Sequence, residues 1–305
     1  MNMDYKELAG KLNKQKLAKG TRTCAGCPIP VIVRQILAQT DAPIAASMAT
    51  GCLEVTTTIY PDNAWGISSV HNAFENAAAT ISGVETAHKI LAKKGKLQSG
   101  AEKFKFVAFG GDGGTYDIGF QSLSGAVERR HNFLYVCYDN GAYQNTGNQR
   151  SSATPEGVKT ETTPLGKETP RKDMMKIMAG HNMPYLAQAA VHNLSDLVAK
   201  AKKAFETKGP SFLLVFSPCV PGWGYSPKDT IRISELAFET NFWPLYEIEN
   251  GKYKITAKPT VIKPVQEFLK TQKRFDHLLK DEQAVKEIQD NVDNGWRELN
   301  EMSIE

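Results

Sequence analysis

The chain has 305 residues, with 37 Lys and Arg against 33 Asp and Glu, a net charge of +4. So mild a balance, with lysines scattered rather than clustered, argues against a nucleic-acid-binding face, and 41% hydrophobic with 23% charged residues is ordinary globular composition. No run approaches the roughly 18 apolar residues of a membrane span, and the charged start MNMDYKELAGKLNKQKLAKG lacks the apolar core of a secretory signal, so a cytoplasmic protein free of membrane and nucleic acid is expected.

Residues 1–23 read as a polar arm of weak helical character. PIPVIVRQIL (28–37) is apolar at helical spacing with prolines near its start, and APIAAS (42–47) is strand-like. The Ala-rich run 71–95, closed by a glycine, predicts one long helix. KFKFVAFG and NFLYVCYDN predict strands with the helix DIGFQSLSGAVERRH between them, a βαβ unit and hence a parallel sheet. The stretch 141–170 is polar and rich in Thr, Ser, Gly and Pro, a loop of the length that usually carries function. Then come the helix RKDMMKIMAGH, the strand YLAQAAV, a helix SDLVAKAKKAFET with Ser195 as N-cap, and the strand SFLLVF. This alternation predicts an α/β fold, a doubly wound, mostly parallel sheet with helices on both faces, over residues 41–225. An N-terminal cysteine-bearing arm (1–40) precedes it. A C-terminal extension (226–305), ending in a charged helix over 281–301, follows it and packs on the domain or on a partner subunit.

The strand KFKFVAFG runs into Gly110-Gly-Asp112-Gly-Gly114. In a parallel sheet, ligands bind beyond the carboxyl ends of the strands. Glycines there let backbone approach a phosphate, and the following helix offers free N–H groups. A carboxylate at that point repels bare phosphate unless it holds a divalent cation that bridges to it, and Mg²⁺ takes one or two protein oxygens plus phosphate oxygens. The next strand ends at Asn140, whose amide oxygen, with the Ala142 carbonyl, would complete one face of the ion. Asp112 and Asn140 at this spacing resemble the GDG…DN signature of enzymes dependent on thiamine diphosphate (TPP). The dinucleotide fingerprint G-x-G-x-x-G does not fit here.

Five cysteines in a chain expected to be cytosolic do not make a disulfide framework. Cys24-Ala-Gly-Cys27, Cys52 and Cys219 supply two thiolates on one tight turn and two from distant loops. That set suits a [4Fe–4S] cluster and suits zinc equally. Cys137, inside an apolar strand, reads as a core thiol.

Taken together, Cys24–Cys27, Thr50-Gly51-Cys52-Leu-Glu-Val, HNAFENAAATISGVETA, GGDGGTYDIGFQSLSGAVERRHNFLYVCYDNGAYQNTGNQRSSATP, SPCVPGWG and KPVQEFL resemble the β subunit of 2-oxoacid:ferredoxin oxidoreductases of the pyruvate synthase type. The resemblance implies oxidative decarboxylation of a 2-oxoacid, most often pyruvate, with electrons passed to ferredoxin and the acyl group to coenzyme A. It implies Asp112, Asn140 and the Ala142 carbonyl on Mg²⁺. It puts Gly51, Cys52, Gly111, Gly113, Gly114, Asn145 and Thr146 on TPP, Asn145 near the reacting carbon, and Cys24, Cys27, Cys52 and Cys219 on a [4Fe–4S] cluster with Cys52 beside the cofactor. It also implies partner chains: an α subunit that binds the aminopyrimidine and brings the activating glutamate, and γ and ferredoxin-like δ subunits. Neither Glu54 nor Glu75 here has the context of that glutamate. Pro28 follows Cys27 where many relatives have glycine, and Ile29 stands where some single-chain relatives carry a glutamate. Gln144 and Asn148 replace apolar residues of relatives, either drift on a loop or a more polar pocket suited to a small polar oxoacid such as oxalate.

Overall fold

The computed structural model describes residues 5–12 and 15–303. Eight strands form one sheet: β1 (Ile44–Ala49), β2 (Ser68–Asn72), β3 (Lys105–Gly111), β4 (Leu134–Asp139), β5 (Tyr185–Ala190), β6 (Ser211–Phe216), β7 (Leu245–Glu249) and β8 (Lys252–Ala257). Their order is β2-β1-β3-β4-β6-β5-β7-β8. The first six are parallel, β7 pairs antiparallel with β5, and β8 pairs antiparallel with β7. β3, β4, β5 and β6 are buried almost throughout, as continuous apolar strands covered on both faces must be.

Helices Ala77–Lys93 and Phe120–Glu128 cover one face, where Ile81, Leu123, Ala126 and Val127 meet Phe106, Tyr135 and Phe212. Helices Ile29–Leu37 and Leu194–Glu206 cover the other, with Ile32, Ile36, Leu197 and Ala201 against Val107, Val136 and Leu213. Each strand thus feeds two apolar layers by alternating its side chains. The strand order reverses between β1 and β3. That opens a crevice beyond their carboxyl ends, the place where doubly wound sheets bind ligands.

Three elements depart from the sequence expectation. The run 71–95 is not one helix, because His71 and Asn72 end the edge strand β2 and the helix starts at Ala77. Asn72 fixes this break: its amide donates to Ser47 Oγ at 2.7 Å, and its Oδ1 accepts from Thr80 Oγ1 at 2.6 Å. The N-cap of helix Leu194–Glu206 is Asn193, accepting from the Asp196 N–H at 3.1 Å, while Ser195 sits inside the helix and donates to that same Asn193 oxygen. Finally, the hairpin β7–β8 extends the sheet antiparallel to β5. The helix Glu282–Met302 lies where the charged pattern put it, with Asp281 capping its start. Among the described residues no helix is long and apolar enough to cross a membrane.

Candidate active site

β3 delivers Gly110 and Gly111 to the crevice, Asp112 follows, and the chain makes a π turn over Gly113–Asp117 before helix Phe120–Glu128. π turns are uncommon and concentrate at functional sites. Asp112 is 1% exposed. One carboxylate oxygen accepts from Ser151 Oγ, the other from the Asn140 backbone N–H at 3.3 Å. Burial, and then the charge of Asp139, pushes its carboxyl well above the usual range. A cation is what such a carboxylate lacks.

The Asn140 side-chain amide lies 2.8 Å from both Asp112 Oδ1 and the Ala142 carbonyl oxygen, and in the metal-free chain its NH₂ donates to both. With the oxygen inward, the spacing matches the edge of an octahedron around Mg²⁺, about 2.9 Å for bonds of about 2.0–2.1 Å. The donor set therefore fits the ion.

Behind this triad lies an ion-pair network that the sequence reading did not contain. Arg171 reaches Asp139 Oδ2 at 2.5 Å, the Ala153 carbonyl at 2.7 Å and Tyr116 Oη at 2.8 Å. Tyr116 in turn donates to Asp139 at 2.7 Å, and the Gly141 N–H donates to the other Asp139 oxygen at 3.2 Å. Asp139 thereby fixes the turn that carries Asn140 and Ala142. Its sequence signal was its place beside Asn140; Arg171 gave none, being one basic residue at the end of a polar loop.

A cavity of about 90 Å³ opens onto these groups. Gly51, Cys52, Gly111, Asp112, Gly113, Gly114, Asn140, Ala142, Asn145 and Thr146 all line it. So do residues the sequence did not single out, among them Phe74, Tyr138 and Tyr143. Phe74 and Tyr143 stack at 5.6 Å, and Tyr143 donates to Asp117 at 3.0 Å. The Tyr138 hydroxyl, in a residue 1% exposed, finds no acceptor for its proton among the described residues. A buried donor left unpaired costs about 1–3 kcal/mol, so a ligand acceptor in this cavity fits it. Gln144 faces the cavity and donates to the Asn140 carbonyl at 3.3 Å. Asn148 does not line the cavity; it is a turn residue with φ 69°.

The cysteines come together from three loops. Cys24 and Cys27 share a turn closed by a 3.0 Å bond from the Cys27 N–H to the Cys24 carbonyl. Cys52 opens helix Cys52–Thr57 after β1, and Cys219 caps helix Val220–Trp223 after β6. Gly26, at φ +77°, lets the turn dock on residues 227–230: a Cβ there would stand 2.6 Å from the Pro227 carbonyl oxygen. The Thr230 hydroxyl donates to the Gly26 carbonyl at 2.8 Å. Burial pushes the Cys27 thiol up to about 11 and Cys219 to about 12. Cys52 rises through burial and then through the charges of Cys219, Cys27 and Cys24. Among the described residues no three such side chains already stand in ligating positions. Cys24, Cys27 and Cys219 all act electrostatically on Cys52, and the part-buried thiols of Cys27, Cys52 and Cys219, which resist ionisation, need a metal to become thiolates, while Cys24 is the exposed member of the set. Cys137 is fully buried in β4. No glutamate lines the cavity among the described residues; Glu54 is held by His71 at 2.9 Å and by Thr58.

A parallel sheet with its crevice at β1/β3, a glycine–aspartate turn and a converging asparagine define a thiamine-diphosphate enzyme. Residues 49–215 match the thiamine pyrophosphate enzyme C-terminal TPP-binding domain family. The chain is 49% identical to pyruvate synthase subunit PorB of Thermotoga maritima, covering 98% of this chain and 96% of that one. It is also 49% identical to the Methanocaldococcus jannaschii PorB (92% and 95%) and 40% identical to ketoisovalerate oxidoreductase subunit VorB of Pyrococcus abyssi (93% and 92%). A solved 2-oxoglutarate:ferredoxin oxidoreductase from Magnetococcus marinus shares the fold, with a TM-score of 0.59 at 24% identity over 71% of this chain and 70% of that one. The chain belongs to the family of TPP-binding β subunits of 2-oxoacid:ferredoxin oxidoreductases, represented by pyruvate synthase subunit PorB.

Proposed function

We propose that this chain is the catalytic β subunit of a pyruvate:ferredoxin oxidoreductase, holding TPP through Mg²⁺ beside a [4Fe–4S] cluster. The observation that carries the site is the Asn140 amide set 2.8 Å from both the Asp112 carboxylate and the Ala142 carbonyl at the crevice. Pyruvate is favoured by the names of the relatives at 49% identity. When bound, TPP supplies the nucleophilic carbon and electron sink for decarboxylating a 2-oxoacid, and the cluster accepts the electrons.

This chain's residues orient that chemistry. Asp112, Asn140 and the Ala142 carbonyl hold Mg²⁺, which neutralises the diphosphate. Gly111, Gly113 and Gly114 let backbone approach it, and Gly51, Cys52, Asn145 and Thr146 line the remaining wall. The Asn145 amide faces the substrate carbonyl. Cys24, Cys27, Cys52 and Cys219 ligate the cluster, and Cys52, shared by cavity and cluster, keeps the electron path short. As no glutamate lines the cavity among the described residues, the group that activates the cofactor is assigned to an α subunit. The γ and ferredoxin-like δ subunits, ferredoxin and coenzyme A complete a cytoplasmic enzyme. Gln144 in the cavity wall favours a second substrate class, small polar oxoacids such as oxalate.

The test is anaerobic turnover of the purified complex across an oxoacid panel, with and without coenzyme A, alongside iron and zinc analysis of this chain. Pyruvate should be oxidised fastest, with about four irons per chain. A colourless chain holding one zinc, or turnover by this chain alone, refutes the proposal.

A further inference from the structure

Arg274 is a buried cation that makes no ion pair among the described residues. It is 8% exposed, and none of the ion pairs among the described residues includes it. Of its five N–H donors, Nε donates to Gln272 Oε1 at 2.9 Å. The guanidinium stacks over Trp223, its carbon 3.6 Å from the ring centroid, with Phe275 at 4.8 Å. Buried charges are ordinarily paired, and the one carboxylate whose charge acts on Arg274, Asp139, is already held by Arg171, Tyr116 and the Gly141 N–H.

Its surroundings join the cysteine site to the turn that carries Asn140. Trp223 closes the short helix that Cys219 caps, its backbone N–H bonded to the Cys219 carbonyl at 2.9 Å. The same indole N–H donates to the Asn140 carbonyl at 2.8 Å. On its other side, Arg274 Nη1 stands 3.1 Å from where a Cβ on Gly141 would lie. The guanidinium is therefore wedged between the Cys219 turn and the turn that carries Asn140 and Ala142. Burial and the charge of Arg171 push Arg274 down to about 9, still protonated at neutral pH, while Cys219 is the first group pulling it back up.

We propose that Arg274 is the built-in counter-charge of the four-thiolate centre, and that it raises the reduction potential of the cluster assigned to Cys24, Cys27, Cys52 and Cys219. This rests on the cluster reading above. Four thiolates give the centre net negative charge, and one-electron reduction adds another. A cation buried in a low-dielectric wall stabilises the reduced state more than the oxidised one. Arg274 acts through the cluster, as a positioning residue. It would make this centre a readier acceptor for electrons leaving the neighbouring site.

The experiment compares wild type, R274Q and R274K in the full-length chain, loaded anaerobically with iron and sulfide and titrated with dithionite against redox mediators. R274Q should show at least a tenfold lower reduced-to-oxidised ratio at the wild-type midpoint, which is 59 mV for one electron, and R274K should recover part of it. Loss of iron from R274Q with retention in R274K equally supports the charge. Wild-type behaviour of R274Q, or loss of iron from both variants, overturns the proposal while leaving the cluster reading intact. A wild-type chain that takes up zinc and no iron–sulfur chromophore overturns both.

Discussion

Replacing Asp112 with asparagine removes one buried charge and keeps the outline of the side chain. In the metal-free chain the carboxylate is uncomfortable, pushed up by burial and by Asp139, so D112N should unfold at the same temperature as wild type or higher. With TPP and Mg²⁺ the order should reverse. A ligand at about 100 times its dissociation constant stabilises by about 2.7 kcal/mol. With an unfolding entropy of about 2.1 cal/mol/K per residue over 305 residues, that is a rise of about 4 °C. D112N cannot balance the Mg²⁺ charge, and its amide would set an N–H against the ion, so this rise should vanish. Thermal unfolding of both proteins with TPP plus Mg²⁺, and with TPP plus chelator, measures it. The metal-ligand assignment is wrong if D112N keeps a Mg²⁺-dependent rise equal to that of wild type.

Other outcomes follow from the same structure. Arg171→Met strands Asp139 beside Asp112; losing one partner of a buried ion pair costs about 3–5 kcal/mol, measurable by urea unfolding, and a loss under about 1 kcal/mol contradicts the network. Gly26→Ala forces a Cβ against the Pro227 carbonyl at positive φ, so iron content should fall severalfold; unchanged iron would show that the turn does not need this docking. His192 packs on Phe238 at 5.3 Å with Nε2 unpartnered, and burial lowers it to about 4. Its stabilising contribution is present above the unfolded value of about 6.5 and is lost as pH falls from there through about 4, at most about 3 kcal/mol. His192→Gln should flatten the acid limb of stability against pH; an unchanged slope assigns the acid loss to other groups.

Much of the site was legible because it is local. The strand into Gly110–Gly114, the helix after it and the next strand ending at Asn140 are each written in short-range pattern, and together they place both proposed Mg²⁺ ligands. The edge strand β2 was hidden because HNAFEN is continuous with an Ala-rich helix, and only Ser47 and Thr80, contributed by other parts of the chain, pin Asn72 in place. The β7–β8 hairpin was hidden because its strands, LYEIE and KYKITA, are short and partly polar and gain their definition by pairing, β7 with β5 and β8 with β7.

By itself, then, the amino-acid sequence determined the chemistry on offer: a carboxylate among glycines, an amide on the next strand, and four thiols outside the core. The first two depend on residue identity and on spacing within one βαβ unit, the thiols on residue identity alone. The tertiary structure decided what surrounds them. Arg171 is 32 positions from Asp139, and the contacts joining Gly26 to Thr230 cross 204. Such pairings exist only once the sheet has fixed the strand ends, because burial makes an unpaired charge or an unfilled gap costly and leaves few arrangements that avoid both.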